Sequence, residues 1–192
     1  SGNMQTNTKL WTKNNTGNAA VHAFTAGKDQ ALDMLLAPYD IKGSLAHAAM
    51  LEQIGLLTAA EKNDIHRELH LMLHDFENGN WVIEPGVEDC HTQIELLLTR
   101  KLGETGKKIH AARSRNDQVL TAIKLFLKDA LKKTAAETEQ LFSLLLELSE
   151  THRHKLMPGY THLQVAMPSS FGLWFAAYAE SLSDDLEIVL AA

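Results

Sequence analysis

The sequence has 192 residues, of which 45% are hydrophobic and 22% are charged, as is typical of a soluble globular protein with one domain or two small ones. Its 24 acidic and 18 basic residues give a formal net charge of −6. That charge argues against a nucleic-acid-binding protein and an electrostatic membrane anchor, which both need basic surfaces. The single cysteine, Cys90, excludes an intrachain disulfide framework. Because no apolar run reaches the roughly 18 residues of a membrane span, we expect a cytoplasmic protein.

Three helices in the first half are predicted from their end signals. A side-chain oxygen at the N-cap accepts from the free N–H groups of the first turn, and glycine favours the backbone geometry of a helix end. By these signals one helix covers residues 45–54, between Ser44 and Gly55. A second begins at the capping box of Thr58 and Glu61 and runs through residue 76. A third begins at Glu88 and Asp89 and ends near Gly103. The second is expected to bury Ile65, Leu69, Leu73 and Phe76.

An unusually long helix is predicted next, because neither glycine nor proline occurs between Gly106 and Pro158. From Asp117 onward the apolar residues recur every three or four positions, the helical period. Leucines at 144, 145 and 146 make more than one face apolar, which is typical of a helix inside a bundle. A helix from about residue 117 to about residue 151 would be roughly 50 Å long.

The last predicted helix opens at Pro168. The only β-like fragment, residues 81–83, is too short to carry a sheet. We therefore predict an all-α fold, with a small N-terminal helical domain over residues 1–110 and the first part of a long-helix bundle over residues 111–192. Residues 12–26 are expected to be poorly ordered. The predicted buried face of the last helix comprises Phe171, Trp174, Phe175, Tyr178, Leu182, Leu186 and Val189.

Two polar segments are not explained by the helical pattern. The first, RSRNDQ at residues 113–118, lies where the long helix begins and where free backbone N–H groups attract anions. Its arginine, serine and asparagine side chains add further donors, and such a set suits carboxylates or phosphates. The alternative is an elaborate N-cap with both arginines in solvent. The second, GYTHLQ at residues 159–164, is predicted to be a loop. It places His162 beside Thr161 and Gln164, which suits acid–base chemistry, although a lone loop histidine is more often structural or merely exposed.

Two further groups of histidines have ordinary explanations. His66, His70 and His74 repeat every four residues, as metal ligands on one helix face do. They also flank the apolar stripe of an amphipathic helix and have no evident acidic or cysteine partner, so a metal site is not favoured. His152 and His154 give the long helix a basic end that matches its dipole.

Longer motifs carry a resemblance to a known family. They are GKKIH at 106–110, RSRNDQV at 113–119 and PGYTHLQ at 158–164, supported by KLW at 9–11, DIKGS at 40–44 with Ala46 and His47, and EDCH at 88–91 with Ile94 and Glu95. The sequence resembles argininosuccinate lyase, of the fumarase/aspartase superfamily, over nearly its whole length. The resemblance implies reversible elimination of argininosuccinate to arginine and fumarate in arginine biosynthesis, with no metal or organic cofactor.

The resemblance also implies roles for individual residues. His162 matches the family's catalytic histidine. Removal of a proton beside a carboxylate builds an aci-carboxylate dianion that needs preorganised donors, and departure of the guanidinium group needs an acid–base residue. The implied substrate-binding residues are Ser114, Arg115, Asn116, Thr161, Gln164 and His91, the last as a supporting active-site histidine.

The sequence departs from the family in two places. Trp11 is followed by TKNN where the family has Gly-Gly-Arg-Phe, and Gly27 falls where the family has an early substrate-binding serine. The chain also ends at Ala192, whereas family members are more than twice as long. We therefore expect the family's flexible loop with a catalytic serine, and the lysine-bearing stretch after it, to lie outside these residues. We expect an N-terminal portion that has no lyase activity alone.

The spacing of the motifs predicts how the site is assembled. Asn116 lies at the start of the long helix and Thr161 just beyond its end. The roughly nine residues between the helix and Thr161 span at most about 30 Å, less than the helix itself. Asn116 and His162 of one molecule are therefore not expected to share a pocket, in agreement with the family's homotetramer, whose sites combine several chains.

Two alternatives stay open from the sequence. One is another lyase of the superfamily that releases fumarate from a different substrate, which the RSRNDQV motif disfavours. The other is a structural role, because lens crystallins use the same scaffold and binding residues can persist without turnover.

Overall fold

The computed structural model describes residues 29–192, so the WTKNN segment, residues 12–26 and Gly27 lie outside the described residues. The described chain forms two compact units, one reaching to Phe126 and the other comprising Leu127–Ala192. The predicted domain division after residue 110 stays a prediction. The elements are α1 Asp29–Gln53, α2 Ala59–Glu77, α3 Cys90–Leu102, α4 Glu104–Lys107, a 3-10 turn Lys108–His110, α5 Arg115–Thr151, β1 Leu156–Thr161, β2 Gln164–Ser170 and α6 Phe171–Ala191. The predicted all-α class is confirmed, with one β-hairpin added.

The first helix is longer than predicted, and Ser44 is not its N-cap. α1 continues through Pro38 and Ser44. Ala37 and Ile41, which are fully buried before and after Pro38, hold this part of the helix against the core. Inside the helix the Ser44 hydroxyl donates to Asp40 Oδ1 of the preceding turn at 3.4 Å. The predicted end at Gly55 is confirmed to within two residues, with Gly55 at a φ of +79°.

The core of the first unit lies between α1, α2 and α3. Its fully buried side chains contribute about 1.5–3 kcal/mol each through removal of apolar surface from water. On α2, Ile65 and Leu69 are buried as predicted, whereas Leu73 and Phe76 are only partly buried against the core. The largest fully buried apolar residues are Ile41, Leu51, Ile65, Leu69, Ile94, Leu98 and Ile109.

The predicted ends of α2 and α3 are confirmed. Thr58 and Glu61 form the capping box, in which the Glu61 N–H donates to Thr58 Oγ1 at 3.2 Å and the Thr58 N–H donates to Glu61 Oε2 at 2.9 Å. Asp89 caps α3 by accepting from the Thr92 N–H at 2.7 Å. Gly103 ends it at a φ of +59°. These caps fix where α3 presents its polar first turn.

The predicted long helix is confirmed as α5, a continuous helix of 37 residues. Ser114 and Asp117 cap its start, since the Asp117 N–H donates to Ser114 Oγ at 3.3 Å and the Ser114 N–H donates to Asp117 Oδ2 at 3.0 Å. Only Gln118 and Ala122 of this helix are buried. Its exposed leucines are Leu120, Leu127, Leu141, Leu144 and Leu146.

The prediction of a loop over residues 159–164 is wrong, because this segment forms an antiparallel β-hairpin. β1 and β2 pair Leu156 with Ser170 and Thr161 with Gln164. Pro158 and Pro168 are paired across the hairpin beside an irregularity in the register. Proline is rare in strands except at edges and irregularities, so these two residues made the sequence look unlike a strand. A side chain at Gly159 would meet the Met167 carbonyl oxygen at 2.5 Å, so glycine permits the close approach of the strands.

The last helix begins later than predicted and buries less. Its N-cap is Ser170, whose hydroxyl accepts from the Leu173 N–H at 3.0 Å, because Pro168 belongs to β2. The predicted buried face is partly wrong. Gly172 and Ala179 are the buried residues, while Phe171, Trp174 and Tyr178 are exposed. Within residues 29–192, no helix combines the length and apolarity needed to cross a bilayer.

Candidate active site

The RSRNDQ segment lies beside the first turn of α3. Arg115, the first residue of α5, donates from Nη2 to Thr92 Oγ1 at 2.8 Å. Its Nη1 lies 3.7 Å from Asp89 Oδ1 and 3.4 Å from Glu95 Oε1. Arg115 is thus held by one hydroxyl and two carboxylates on α3 and its cap, rather than extending into solvent.

Glu95 links this arginine to the turn that precedes α5. Its side chain is 12% exposed, and its second oxygen, Oε2, lies 2.9 Å from His110 Nε2. His110 belongs to the 3-10 turn that carries the chain from α4 toward α5. Glu95 therefore holds His110 before the turn at residues 111–114 and Arg115 after it. These two contacts set the position of Ser114 and Asn116 relative to α3.

A buried carboxylate lies on the other side of the same segment. Asp40, in the middle of α1, is 2% exposed, and His91, in the first turn of α3, is 3% exposed. His91 Nδ1 lies 3.0 Å from Asp40 Oδ2, although the ring N–H is not aligned for a regular hydrogen bond. Gln118 Nε2 of α5 donates to the two Asp40 oxygens at 3.0 and 2.9 Å. Asp40 thus joins α1, α3 and α5.

A cavity of about 320 Å³ lies on the side of Asp40 that faces α5. Arg113 lines it and donates from Nη1 to Ser44 Oγ at 3.3 Å. Burial lowers the pKa of Arg113, and the charges of Asp40 and Glu95 oppose that shift. Burial also lowers the pKa of His47, whose Nε2 lies 2.9 Å from the Ala111 carbonyl oxygen. The complete lining is Asp40, Gly43, His47, Met50, Ala112, Arg113, Asp117, Gln118 and Thr121.

Ser114 and Asn116 have different surroundings. The Ser114 hydroxyl donates to Asp117 Oδ2 at 2.8 Å, and the two hydrogen bonds from Ser114 lower the pKa of Asp117. Ser114 is therefore engaged as the N-cap of α5, as the structural alternative for this segment expects, but Arg113 and Arg115 do not lie free in solvent as it also expects. Asn116 lies exposed in the first turn of the helix, with its amide available to a ligand.

The second predicted segment forms the tip of the hairpin. Thr161 and Gln164 are paired, and between them His162 and Leu163 have φ values of +49° and +63°. Positive φ at both central residues is the mark of a tight two-residue hairpin turn, which usually takes Asn-Gly. This backbone is costly for residues with a Cβ, and such strain is concentrated at functional sites. Thr161, His162 and Gln164 are all exposed.

The structure therefore groups the predicted residues in two sets. His91, Ser114, Arg115 and Asn116 come together in the first unit through α3 and the start of α5, while Thr161, His162 and Gln164 share the hairpin of the second unit. The sequence reasoning gave no role to four residues that organise the first set: Asp40, Thr92, Glu95 and Gln118. Their signal was present, since Asp40 and Gln118 are polar residues in positions that an amphipathic pattern would fill with apolar ones.

Other titratable groups in the first unit have structural partners. His66 Nε2 lies 2.9 Å from the Leu45 carbonyl oxygen, and His74 contacts Asn78 of the following turn at 3.1 Å. Among residues 29–192, no three His, Cys, Asp or Glu side chains are grouped so that they could hold a metal ion. Burial, reinforced by the charge of Asp40, raises the pKa of the Cys90 thiol, which keeps the group next to His91 protonated.

Comparison with known proteins gives the family. A protein family described as Lyase matches residues 13–192, which includes every residue of both sets. The chain belongs to this lyase family. The resemblance found in the motifs is confirmed by curated relatives named argininosuccinate lyase. The one from Phocaeicola vulgatus is 56% identical over 184 residues, and the one from Thermotoga neapolitana is 46% identical over 181 residues.

The lyase chain covers only part of these relatives. The match to the Phocaeicola vulgatus protein includes 96% of this chain and 41% of that protein, and the match to the Thermotoga neapolitana protein includes 94% and 46%. Among solved structures, an EDDS lyase in complex with formate is similar with a TM-score of 0.71 and 26% identity, over 83% of this chain and 31% of that one. These similarities support the helical lyase fold.

Proposed function

We propose that this chain is the N-terminal portion of an argininosuccinate lyase, and that the complete enzyme reversibly eliminates argininosuccinate to arginine and fumarate in cytoplasmic arginine biosynthesis. The observation that carries the proposal is the 56% identity to a protein of that name over 96% of the chain. The clustering of His91 with the RSRNDQ segment supports it, because residues far apart in the sequence are built into one polar site.

In this proposal Asn116 is the principal ligand of a substrate carboxylate in the first unit. Its exposed amide lies in the first turn of α5, where free backbone N–H groups and the helix dipole favour an anion. Ser114 and Arg115 contribute by fixing that turn, since the Ser114 hydroxyl caps the helix and the Arg115 guanidinium is bound to Thr92. Preorganised donors of this kind stabilise the charge that develops on an aci-carboxylate.

His162 is the proposed acid–base residue. Elimination requires a proton to leave the carbon beside a carboxylate and a proton to reach the departing guanidinium nitrogen. An imidazole at the tip of a tight hairpin is exposed to an incoming substrate, and its turn limits the directions in which the ring points. We propose that His162 transfers a proton directly or orients a water molecule that does so, with Thr161 and Gln164 binding substrate beside it.

We infer that the complete active site contains residues from more than one copy of the enzyme. The 37 residues of α5 are about 55 Å long, which exceeds the reach of the short connection from Thr151 to the hairpin tip. Exposed apolar side chains of the second unit support self-association, as in the homotetramer of the family. They include Leu156, Val165, Met167, Leu173, Trp174 and Ile188.

The experiment that tests this function is a substrate panel on a complete enzyme of the relatives' length that contains this chain. Fumarate release, followed by its ultraviolet absorbance, is expected with argininosuccinate and not with other N-substituted aspartates, including the substrate of EDDS lyase. The 192-residue chain alone is expected to release no fumarate. Release from another substrate of the panel but not from argininosuccinate would favour a different lyase, and no release from any would favour a structural role.

A further inference from the structure

The carboxylate of Asp40 lies where three helices of the first unit meet. It receives two hydrogen bonds from Gln118 of α5, one from Ser44 of α1, and a 3.0 Å contact from His91 of α3. A buried carboxylate loses favourable hydration unless its partners satisfy it, and apolar residues of similar volume often serve packing equally well. The partners of Asp40 are therefore more informative than its burial.

Two of these partners lead directly to the proposed active site. His91 is the supporting histidine of the site, and Gln118 lies two residues after Asn116 in the first turns of α5. Asp40 borders the 320 Å³ cavity but is only 2% exposed, and its two oxygens already accept from Gln118, so we do not expect it to bind a substrate itself. Any effect of Asp40 on the reaction has to pass through these neighbours.

We propose that Asp40 is a positioning residue of this lyase, which fixes the imidazole of His91 and the register of the α5 start through Gln118. The expected effect of Asp40 on turnover rests on the proposed function, whereas its effect on the tautomer of His91 does not. An unprotonated Nδ1 of neutral His91 carries a partial negative charge, which a carboxylate oxygen 3.0 Å away repels, whereas a protonated Nδ1 is attracted to it even without the alignment of a regular hydrogen bond. Asp40 therefore keeps the proton of neutral His91 on Nδ1 and leaves Nε2 as its free acceptor.

The first test is ¹⁵N NMR of this chain with labelled histidine, at a pH where His91 is neutral. The wild-type spectrum is expected to show His91 protonated on Nδ1. In Asp40→Asn, which keeps the shape of the side chain and loses its charge, the His91 signals are expected to move toward the Nε2-protonated form. Two matched controls are expected to leave the signals in place: Ser44→Ala, which removes the long hydrogen bonds of that hydroxyl with Asp40 and Arg113, and Asp129→Asn, which removes an exposed charge on α5.

The wild-type spectrum decides the structural part even if Asp40→Asn does not fold. His91 protonated on Nε2 in the wild-type chain would overturn the inference. A tautomer unchanged in a folded Asp40→Asn would overturn it as well.

The second test measures turnover in the complete enzyme. Asp40→Asn is expected to lower kcat at least tenfold with helix content and oligomeric state unchanged. Because Asp40 acts through His91 as well as through Gln118, the double variant with His91→Asn is expected to be slower than His91→Asn alone by less than the factor that Asp40→Asn costs in the otherwise unmodified enzyme. Losses that multiply in the double variant would show a general structural role and contradict the inference. If the unmodified complete enzyme does not turn over argininosuccinate, the proposed function fails, and the tautomer measurement still decides the positioning of His91.

Discussion

Arg115 and Thr92, which are 23 residues apart in the sequence, are joined by a 2.8 Å hydrogen bond between Nη2 and Oγ1. Thr92 follows the buried His91, and Arg115 precedes the exposed Asn116. This bond therefore connects the start of the long helix to the turn of α3 that carries His91, the proposed supporting histidine. It shows that an arginine of the RSRNDQ motif serves the architecture of the site.

Thr92→Val is expected to weaken the first unit. Valine fills the same space but cannot accept the hydrogen bond from Arg115, so we expect a loss of about 1–2 kcal/mol in the free energy of unfolding. Urea unfolding followed by circular dichroism measures this. Thr138→Val is the matched control, because that hydroxyl is exposed and bonds only within its own helix. It is expected to change stability by less than about 0.5 kcal/mol. Equal effects of the two variants would argue against the Arg115–Thr92 connection.

His47 is expected to make the first unit less stable in acid. Burial, together with the positive charges of Arg113 and His110, lowers the pKa of His47 in the folded chain, opposed by its bond to Ala111. The unfolded chain then binds a proton more readily than the folded one. The contribution of His47 to stability is complete above its unfolded pKa of about 6.5 and is lost as the pH falls through the lower folded pKa.

The measurement is the free energy of unfolding between pH 7.5 and pH 5, in wild type and in His47→Gln. We expect the wild type to lose more stability over this interval than the variant does, because the variant lacks the titrating ring. His70→Gln, at an exposed position of α2, is the control and is expected to follow the wild type. A His47→Gln curve parallel to that of the wild type would show that this histidine does not titrate as proposed.

Two exposed leucines of the hairpin are expected to respond oppositely to glycine. Leu163 is 99% exposed at a φ of +63°, a backbone that glycine adopts without the cost of about 1 kcal/mol paid by other residues. Leu163→Gly is therefore expected to protect the hairpin amides more strongly from hydrogen exchange. Leu156→Gly, in β1 at 79% exposure, should weaken the strand and speed exchange. Faster exchange in both variants would contradict a strained turn at residues 162–163.

Gly106 is expected to tolerate no side chain. A Cβ there would lie 2.4 Å from the Leu98 carbonyl oxygen of α3, so Gly106→Ala has to push α4 away from α3 and is expected to cost about 1–3 kcal/mol. At Gly43, inside α1, a Cβ would meet only Thr121 Cγ2 at 3.4 Å. Gly43→Ala, which gains helix propensity, is expected to be far milder. Thermal unfolding of both variants measures the difference, and equal melting temperatures would rule out this close packing.

Much of this architecture is predictable from the sequence because its signals are local. The capping box at Thr58 and Glu61, the N-cap at Asp89 and the glycine at 103 lie within a few residues of the ends that they set. The long helix follows from the absence of glycine and proline. Where local signals compete with packing they fail, as at Ser44, which has the chemistry of an N-cap but lies in a stretch that the core holds as helix.

The hairpin and the support of the site were not predictable in the same way. Pro158 and Pro168 disfavour strands, and His162-Leu163 is not a common pair for a tight turn, so tertiary context overrides local preference there. The contacts of Asp40 with His91 and Gln118 join residues 51 and 78 positions apart. No pattern in the sequence states which polar residues will meet at such distances. The motifs predict which residues bind substrate, and the structure shows which side chains hold those residues in place.

A mixing experiment in the complete enzyme with Asn116→Ala and His162→Asn tests whether the two sets of residues act together from different copies. Each variant alone is expected to lack lyase activity, since every one of its sites lacks either the Asn116 amide or the His162 imidazole. After the subunits of the two variants are exchanged, we expect fumarate release from argininosuccinate to return, because some sites then combine an intact Asn116 from one copy with an intact His162 from another. Mixed oligomers that form and remain inactive would contradict the claim that the two sets serve one reaction from different copies.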